Sequence, residues 1–323
     1  MSTIYVIFPA YNEERVIRPT LLALVEAMGR KGDYRAVLVD DGSTDRTVAE
    51  AEAAVAQSGG ALPLTVLRHG LNRGLGAGLR TGIYWCLDRA GDDDVIVTLD
   101  ADNTHPPAMI PRLVERVREG HDVAIASRYR AGAEVHGVPG HRRALSDLGR
   151  LVFQALYPIP GVRDYTCCFR AYRVPVLQRA RRVYGEGLCT ARGFEAVMDL
   201  LLRLGPLGVK VSELGFVLDY GERVGQSKMK VLRTIRETLA LLARRRLESL
   251  TRYSPRRVRA RLAAAEGPSR AAPGPAAGGS SPGPGAATPD PPSAGAHAIG
   301  AVGGTHFSGS GSGAPRARGG SAA

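Results

Sequence analysis

Two aspartates stand one residue apart where an apolar run stops, Asp100 and Asp102 in the stretch VTLDADNTHPP at residues 97–107. Carboxylates that close repel one another unless a cation bridges them, and their hard oxygens suit Mg2+ or Mn2+. Such an ion would grip a diphosphate and stabilise it as a leaving group. A solvated turn is the plainer alternative, because Asp is common in turns. A second acidic pair, Asp40-Asp41, precedes Gly42 and Ser43. It could bind a base, a ribose or a metal; helix capping would account for Ser43, Thr44 or Asp45 but not for both preceding aspartates. Other polar groups also follow apolar runs: Tyr11-Asn12-Glu13, Asn72-Arg73 and Ser127-Arg128. The glycines of GLGAGLRTG, residues 74–82, invite a dinucleotide-binding reading, but they follow the third strand-like run and not the first. That fingerprint belongs after the first strand, so close helix–sheet packing explains them better. No G-x-x-x-x-G-K-[ST] occurs, which removes P-loop phosphate hydrolysis.

Elements of alternating type must position these groups. Apolar runs at 4–8, 36–40, 64–68, 94–100 and 122–127 read as buried strands. Helices are expected from about Glu13, capped by Asn12, from Asp45 to Gln57, and from about Leu75 to Ala90. Pro107 suits the first turn of a further helix. Strands of continuous apolar character alternating with helices indicate an α/β fold with a mostly parallel sheet covered on both faces. Such sheets bind ligands outside the carboxyl ends of their strands, so five successive polar strand ends would make one site. Beyond them, helices are expected at about 142–157 and 191–204, an extended segment at 164–173, and a strand at 209–218. An amphipathic helix follows, with Val231, Leu232, Ile235, Leu239 and Leu242 on one side.

The 323-residue chain carries a formal charge of +12, and the excess is local. Residues 226–262 hold twelve Lys and Arg against Glu237 and Glu248. A basic amphipathic helix of this kind favours an anionic membrane surface. Tyr253 is its only aromatic residue, which argues against stacking on nucleic acid. From Ala263 to the end Gly, Pro, Ala and Ser dominate, so 263–323 reads as a disordered tail that cannot offset its ordering entropy. The division is therefore 1–225 for the α/β domain, 226–262 for the basic helical segment and 263–323 for the tail. Four cysteines without C-x-x-C spacing suggest neither zinc nor a disulfide framework, and reduced thiols of a cytoplasmic protein are expected. The N-terminus lacks signal-peptide character, and no apolar run is long enough to span a bilayer, so a soluble or peripheral protein is expected.

Taken together, FPAYNEE, VDDGSTDRT, HGLNRGLGAGLRTG, LDADNTHPP, ASRY, DYTCCFRAYR and VGQSKM resemble, in order and spacing, glycosyltransferase family 2 with its GT-A fold. The subgroup most similar is that of the dolichol- or polyprenol-phosphate mannosyltransferases, over residues 3–232. The resemblance implies inverting transfer of a sugar, GDP-mannose being the expected donor, to a polyprenyl phosphate at the inner face of a membrane. It implies that Pro9, Tyr11, Glu13, Asp40, Asp41 and Asp100 serve the nucleotide sugar, while Asp100 and Asp102 hold Mg2+ or Mn2+. Ser127, Arg128, Arg142, Arg143 and Lys228 would face the acceptor phosphate, with Asp102, Arg128 and Lys228 acting in catalysis. A membrane-protein partner is left open by the same resemblance. The chain departs from the subgroup at Thr104, where Gln is common, at Cys167-Cys168 in place of Ser-Gly, at Glu222, and at Asp147. Three alternatives stand beside this reading. One is transfer to a hydroxyl acceptor, which needs a general base, Asp164 or Asp199; the others are a non-catalytic membrane-associated protein of the same fold and, more distantly, a nucleotidyltransferase.

Overall fold

Val, Ile and Leu without intervening polar residues can be satisfied only by burial on both faces. The computed structural model, which describes residues 2–29, 32–138, 140–219 and 231–266, buries them in this way. Strand β1 (Ile4–Ala10) is buried along its whole length and pairs in parallel with β2 (Tyr34–Asp40) and β4 (Val95–Thr98). Strand β3 (Leu64–Arg68) adds in parallel to β2. On the other side lie β5 (Val123–Ser127), β7 (Arg170–Arg173) and β8 (Val211–Gly215), giving the order β3-β2-β1-β4-β7-β5-β8. Only β7 runs antiparallel to its neighbours in this sheet. The carboxyl ends of β1 to β5 therefore meet along one edge, as the sequence suggested, and the reversed β7 begins at that same edge. A second, two-stranded sheet pairs β6 (Glu134–His136) with β9 (Val217–Asp219).

Helices flank the sheet: α1 (Ile17–Met28), α2 (Thr47–Gln57), α3 (Leu75–Leu87), α4 (Ile110–Arg118), α5 (Gly140–Leu156), α6 (Val174–Tyr184), α7 (Glu195–Leu204), α8 (Val231–Leu250) and α9 (Pro255–Glu266). Helix α3 packs on β1 and β2, α4 on β5 and β7, and α8 on α7. Gly78 and Gly82 of α3 serve this packing, as the sequence reading held, whereas Gly76 admits the backbone that leads into α7. A Cβ at Gly82 would stand 2.5 Å from Ile7 Cγ2, and one at Gly76 would stand 1.8 Å from the Ala191 carbonyl oxygen.

Several local expectations are corrected. Asn12 does not cap a helix; it adopts φ 54°, its side-chain oxygen accepts from the Thr44 N–H, and α1 starts only at Ile17. The strand expected at 209–218 is split, because β9 leaves the main sheet to pair with β6. The described part of the basic segment forms two helices and not one, and α9 runs through residues 263–266. Leu241, Leu242, Tyr253 and Val258 of this segment are buried in the main core. Residues 267–323, assigned to the tail, lie outside the described residues.

Candidate active site

The loops after β1 and β2 are stitched to one another by backbone and capping bonds. The Asp41 N–H donates to the Ala10 carbonyl (2.8 Å), Asn12 N–H to Ser43 Oγ (3.0 Å), and Glu13 N–H to Thr47 Oγ1 (2.7 Å). Tyr11, Glu13 and Asp40 are thereby brought to one rim. Asp40 is buried and accepts from the Ser43 N–H (3.1 Å). Pro9 and Asp41, expected beside them in the nucleotide pocket, make extensive contacts within the protein. The Pro9 ring is buried, with its Cβ 3.1 Å from where a Gly78 Cβ would stand, so it packs on α3. The Asp41 carboxylate accepts from the N–H groups of Arg73 (3.0 Å) and Gly74 (2.7 Å) and pairs with His69 Nδ1 (2.7 Å). Its negative charge fixes the turn that leads into α3, with His69 Nε2 continuing to Thr81 Oγ1 (2.9 Å).

Asp100 and Asp102 follow β4 on a tight loop that turns through Asn103 at φ 63°. Thr104 donates to Asp102 Oδ1 through its hydroxyl (2.6 Å) and its N–H (3.2 Å). The Asp100 N–H donates to His105 Nδ1 (3.1 Å), a geometry that needs Nδ1 unprotonated. His105 is buried against the rings of Phe169 and Phe216 and so holds the loop at a set height above the sheet. Burial first, and then the nearby Asp100 charge, push the Cys168 thiol well above the ordinary range, and burial takes Cys167 up to about 12. Both stay neutral thiols. Among the described residues no three His, Cys, Asp or Glu side chains form a metal cage. Two hard carboxylates fit Mg2+ or Mn2+, which complete their shells with water and phosphate oxygens. Thr104 therefore enters the site as an orienting group for Asp102.

Because β7 is reversed, the segment before it reaches the same edge and meets Arg128 at the end of β5. Asp164 Oδ2 accepts from Arg128 Nε (2.8 Å) and Oδ1 from Arg128 Nη2 (2.7 Å). Burial alone would raise the Asp164 carboxyl, but the adjoining guanidinium and its hydrogen bonds outweigh that and hold it at about 2. Arg128 is correspondingly raised, the Asp164 charge overcoming its own burial. Ser127, expected beside the acceptor, is fully buried, and its hydroxyl accepts from the Tyr129 N–H (3.2 Å). It shapes the β5 end without facing the cavity. Arg142 and Arg143 fall in the first turn of α5, and Lys228 lies outside the described residues.

A cavity of about 680 Å³ joins these parts. Asp100, Asp102 and Arg128 line it together with Leu148, Val152 and Phe153 of α5 and Ile235, Leu239 and Leu242 of α8, and the same helices add Ser146, Asp147, Thr234 and Thr238. Tyr11, Glu13 and Asp40 do not line it, so the β1–β2 rim forms a separate side of the site. Helix α8 is held in place by buried ions. Arg245 donates to Asp199 Oδ1 (2.6 Å from Nε) and to Glu248 Oε2 (2.5 Å), and Glu248 also pairs with Arg203 (2.9 Å). Arg203 lies 4.6 Å from the ring centres of both Tyr184 and Tyr253. Nothing in the local sequence marks Arg245 as different from Arg244 or Arg246. His105 was missed too, although its place three residues after Asp102 was the available signal.

The family model for glycosyl transferase family 2 matches residues 5–181. A dolichol-phosphate mannosyltransferase from Pyrococcus furiosus is 31% identical over 226 residues, covering 70% of this chain and 58% of that protein. An undecaprenyl-phosphate mannosyltransferase from Micrococcus luteus is 31% identical over 223 residues, covering 69% of this chain and 86% of its own length. In fold the chain is similar to glucosyl-3-phosphoglycerate synthase from Mycobacterium tuberculosis, solved with Mn2+, UDP-glucose and phosphoglyceric acid. There the TM-score is 0.53 and the identity 21%, over 76% of this chain and 79% of that one.

Proposed function

The chain belongs to glycosyltransferase family 2, and from that premise we propose that it transfers a sugar, mannose from GDP-mannose, to a polyprenyl phosphate. The observation that carries this reading is one cavity lined both by two carboxylates and an arginine and by a set of large apolar side chains from α5 and α8. An acceptor with an anionic head and a hydrocarbon tail matches both kinds of lining. The relatives named for dolichyl and undecaprenyl phosphate point the same way.

In this reading a phosphate oxygen of the acceptor attacks the anomeric carbon as the bond from that carbon to the nucleoside diphosphate breaks, which inverts the centre. A phosphate monoester, with its second pKa at ~6, is ionised near neutral pH and needs no proton removed. Positioning and electrostatics then carry the rate. Asp100 and Asp102, oriented by His105 and Thr104, would hold Mg2+ or Mn2+, whose Lewis acidity neutralises charge on the departing diphosphate. Arg128, whose Nη1 makes no hydrogen bond among the described residues, would offer that nitrogen to the acceptor phosphate. Tyr11, Glu13 and Asp40 receive the nucleotide at the β1–β2 rim; Arg142, Arg143 and Lys228 would add positive charge on the acceptor side. The hydroxyl-acceptor alternative loses its bases, since Asp164 and Asp199 are both committed to buried arginine pairs.

A peripheral membrane location completes the proposal. No described helix is long and apolar enough to cross a membrane. Helix α8 instead turns Leu239, Leu247 and Leu250 outward, 58%, 64% and 70% exposed, with the exposed Arg236, Arg244 and Arg246 around them. Leu148 and Leu151 of α5 are exposed as well, and Leu148 lines the cavity. An apolar stripe rimmed by arginines suits an anionic bilayer surface. The test is incubation with radiolabelled GDP-mannose, UDP-glucose or UDP-N-acetylglucosamine, polyprenyl phosphate and Mg2+ or Mn2+. Label from GDP-mannose should enter the organic phase. Label only from a UDP-sugar would overturn the donor, and no lipid-linked label with any donor would overturn the acceptor.

A further inference from the structure

Asp164 is more completely engaged than a buried ion pair requires. Its side chain is inaccessible to solvent, and it lies 36 residues from its arginine. Oδ2 accepts from Arg128 N–H (3.1 Å) and Nε (2.8 Å). Oδ1 accepts from Arg128 Nη2 (2.7 Å), the N–H groups of Thr166 (3.1 Å) and Cys167 (3.0 Å), and the Thr166 hydroxyl (3.3 Å). Thr166 Oγ1 also takes a bond from Arg128 Nη2. Glu213, itself buried, receives the Asp164 N–H (2.7 Å) and Arg130 Nε (2.8 Å), so the segment carrying Asp164 is itself clamped. With Nε and Nη2 occupied, the plane of the Arg128 guanidinium is set; Nη1 makes no hydrogen bond among the described residues, and Arg128 lines the cavity.

From this geometry we infer that Asp164 is a positioning residue: it fixes Arg128 so that one Nη1 N–H group addresses the acceptor phosphate at a single angle. The inference rests on the proposed role of Arg128 toward that phosphate. A carboxylate so saturated, with its pKa held near 2, has no lone pair to take a proton from an acceptor. It would act only through the arginine. A free arginine would also attract the phosphate, and more strongly for want of a counter-charge, but it would hold the attacking oxygen in many orientations. Misplacement by about 1 Å costs on the order of a hundredfold in rate, which outweighs a gain in simple attraction.

The test measures kcat and KM for polyprenyl phosphate and for the sugar donor in Asp164→Asn, Thr166→Val, Arg128→Ala and the doubles Asp164→Asn/Arg128→Ala and Thr166→Val/Arg128→Ala. Asp164→Asn should lower kcat/KM for the lipid phosphate by about ten- to a hundredfold and leave the donor KM unchanged. Thr166→Val should give a smaller loss of the same kind, and it supplies the answer if Asp164→Asn does not fold. In the Arg128→Ala background neither change should have a further effect on kcat/KM for the acceptor. Additive losses, or a fall in acceptor KM with kcat unchanged, would overturn the positioning role. An Arg128→Ala variant with normal acceptor kinetics would instead overturn the assignment of Arg128 itself.

Discussion

Replacing Arg245 by Ala would strip the counter-charge from Asp199, whose side chain is fully buried. What remains to Asp199 is the Thr190 N–H (3.1 Å), the Thr190 hydroxyl (3.4 Å) and the Ala191 N–H (3.2 Å). Arg203 supplies part of the compensating charge from a distance, but it is held between Tyr184 and Tyr253 and pairs with Glu248. Removing one partner of a buried pair costs about 3–5 kcal/mol, since the other charge is left uncompensated. For a folded unit of this size each kcal/mol corresponds to ~2–4 °C in Tm, so the drop should be about 6–20 °C. The loss should fall first on α8, which Arg245 ties to α7, and α8 is one wall of the cavity. Thermal unfolding followed by circular dichroism gives the magnitude, and hydrogen exchange locates it. The double variant Asp199→Leu/Arg245→Met should recover most of the loss, as apolar replacement of a buried pair often does. A single-variant loss below about 1 kcal/mol, the range of a solvated surface pair, would refute the claim that buried ions hold α8.

Three further outcomes are expected. Asp102→Ala should abolish sugar transfer and the metal-dependent part of nucleotide binding while leaving the circular dichroism spectrum unchanged; normal turnover would remove the metal role. Leu239→Ser/Leu247→Ser/Leu250→Ser should weaken sedimentation with anionic liposomes without lowering Tm, and unchanged sedimentation would remove the membrane face. Point changes are the cleaner probe here, because deleting the basic segment would also remove the buried Leu241, Tyr253 and Val258. Asp164 has a folded pKa of about 2, below the unfolded value of ~3.9. Its stabilising contribution is therefore present above about pH 4 and is lost as pH falls through about 2. Wild type and Asp164→Asn should differ in stability at pH 7 and converge near pH 2; a gap constant across that range would contradict the pairing.

The apolar runs, the alternation of strand and helix and the carboxylates at strand ends were legible because each is written in neighbouring residues. A buried parallel strand must be continuously apolar, and a ligand edge must be polar, so β1 to β5 and the Asp100–Asp102 loop could be read directly. The α3 glycines were legible for a similar reason, since close packing needs a missing Cβ wherever it occurs. Asn12 misled because a residue that can cap a helix can equally hydrogen-bond across to another loop, and only the position of Thr44 decides which. Asp41 and Ser127 have types that suit a ligand, and only the fold shows that they also bond to His69, the turn at Gly74 and the Tyr129 N–H.

Sequence by itself determined the sheet, its polar edge, the acidic pair and the family. Tertiary structure alone decided which charges are partners. Arg128 meets Asp164 only because β7 runs antiparallel between β4 and β5, and Arg245 meets Asp199 only because α8 folds back on α7. Local pattern reports how a residue meets water and its near neighbours. The pairing of charges 36 or 46 residues apart depends on chain reversal and on burial strong enough to hold two ions out of water together.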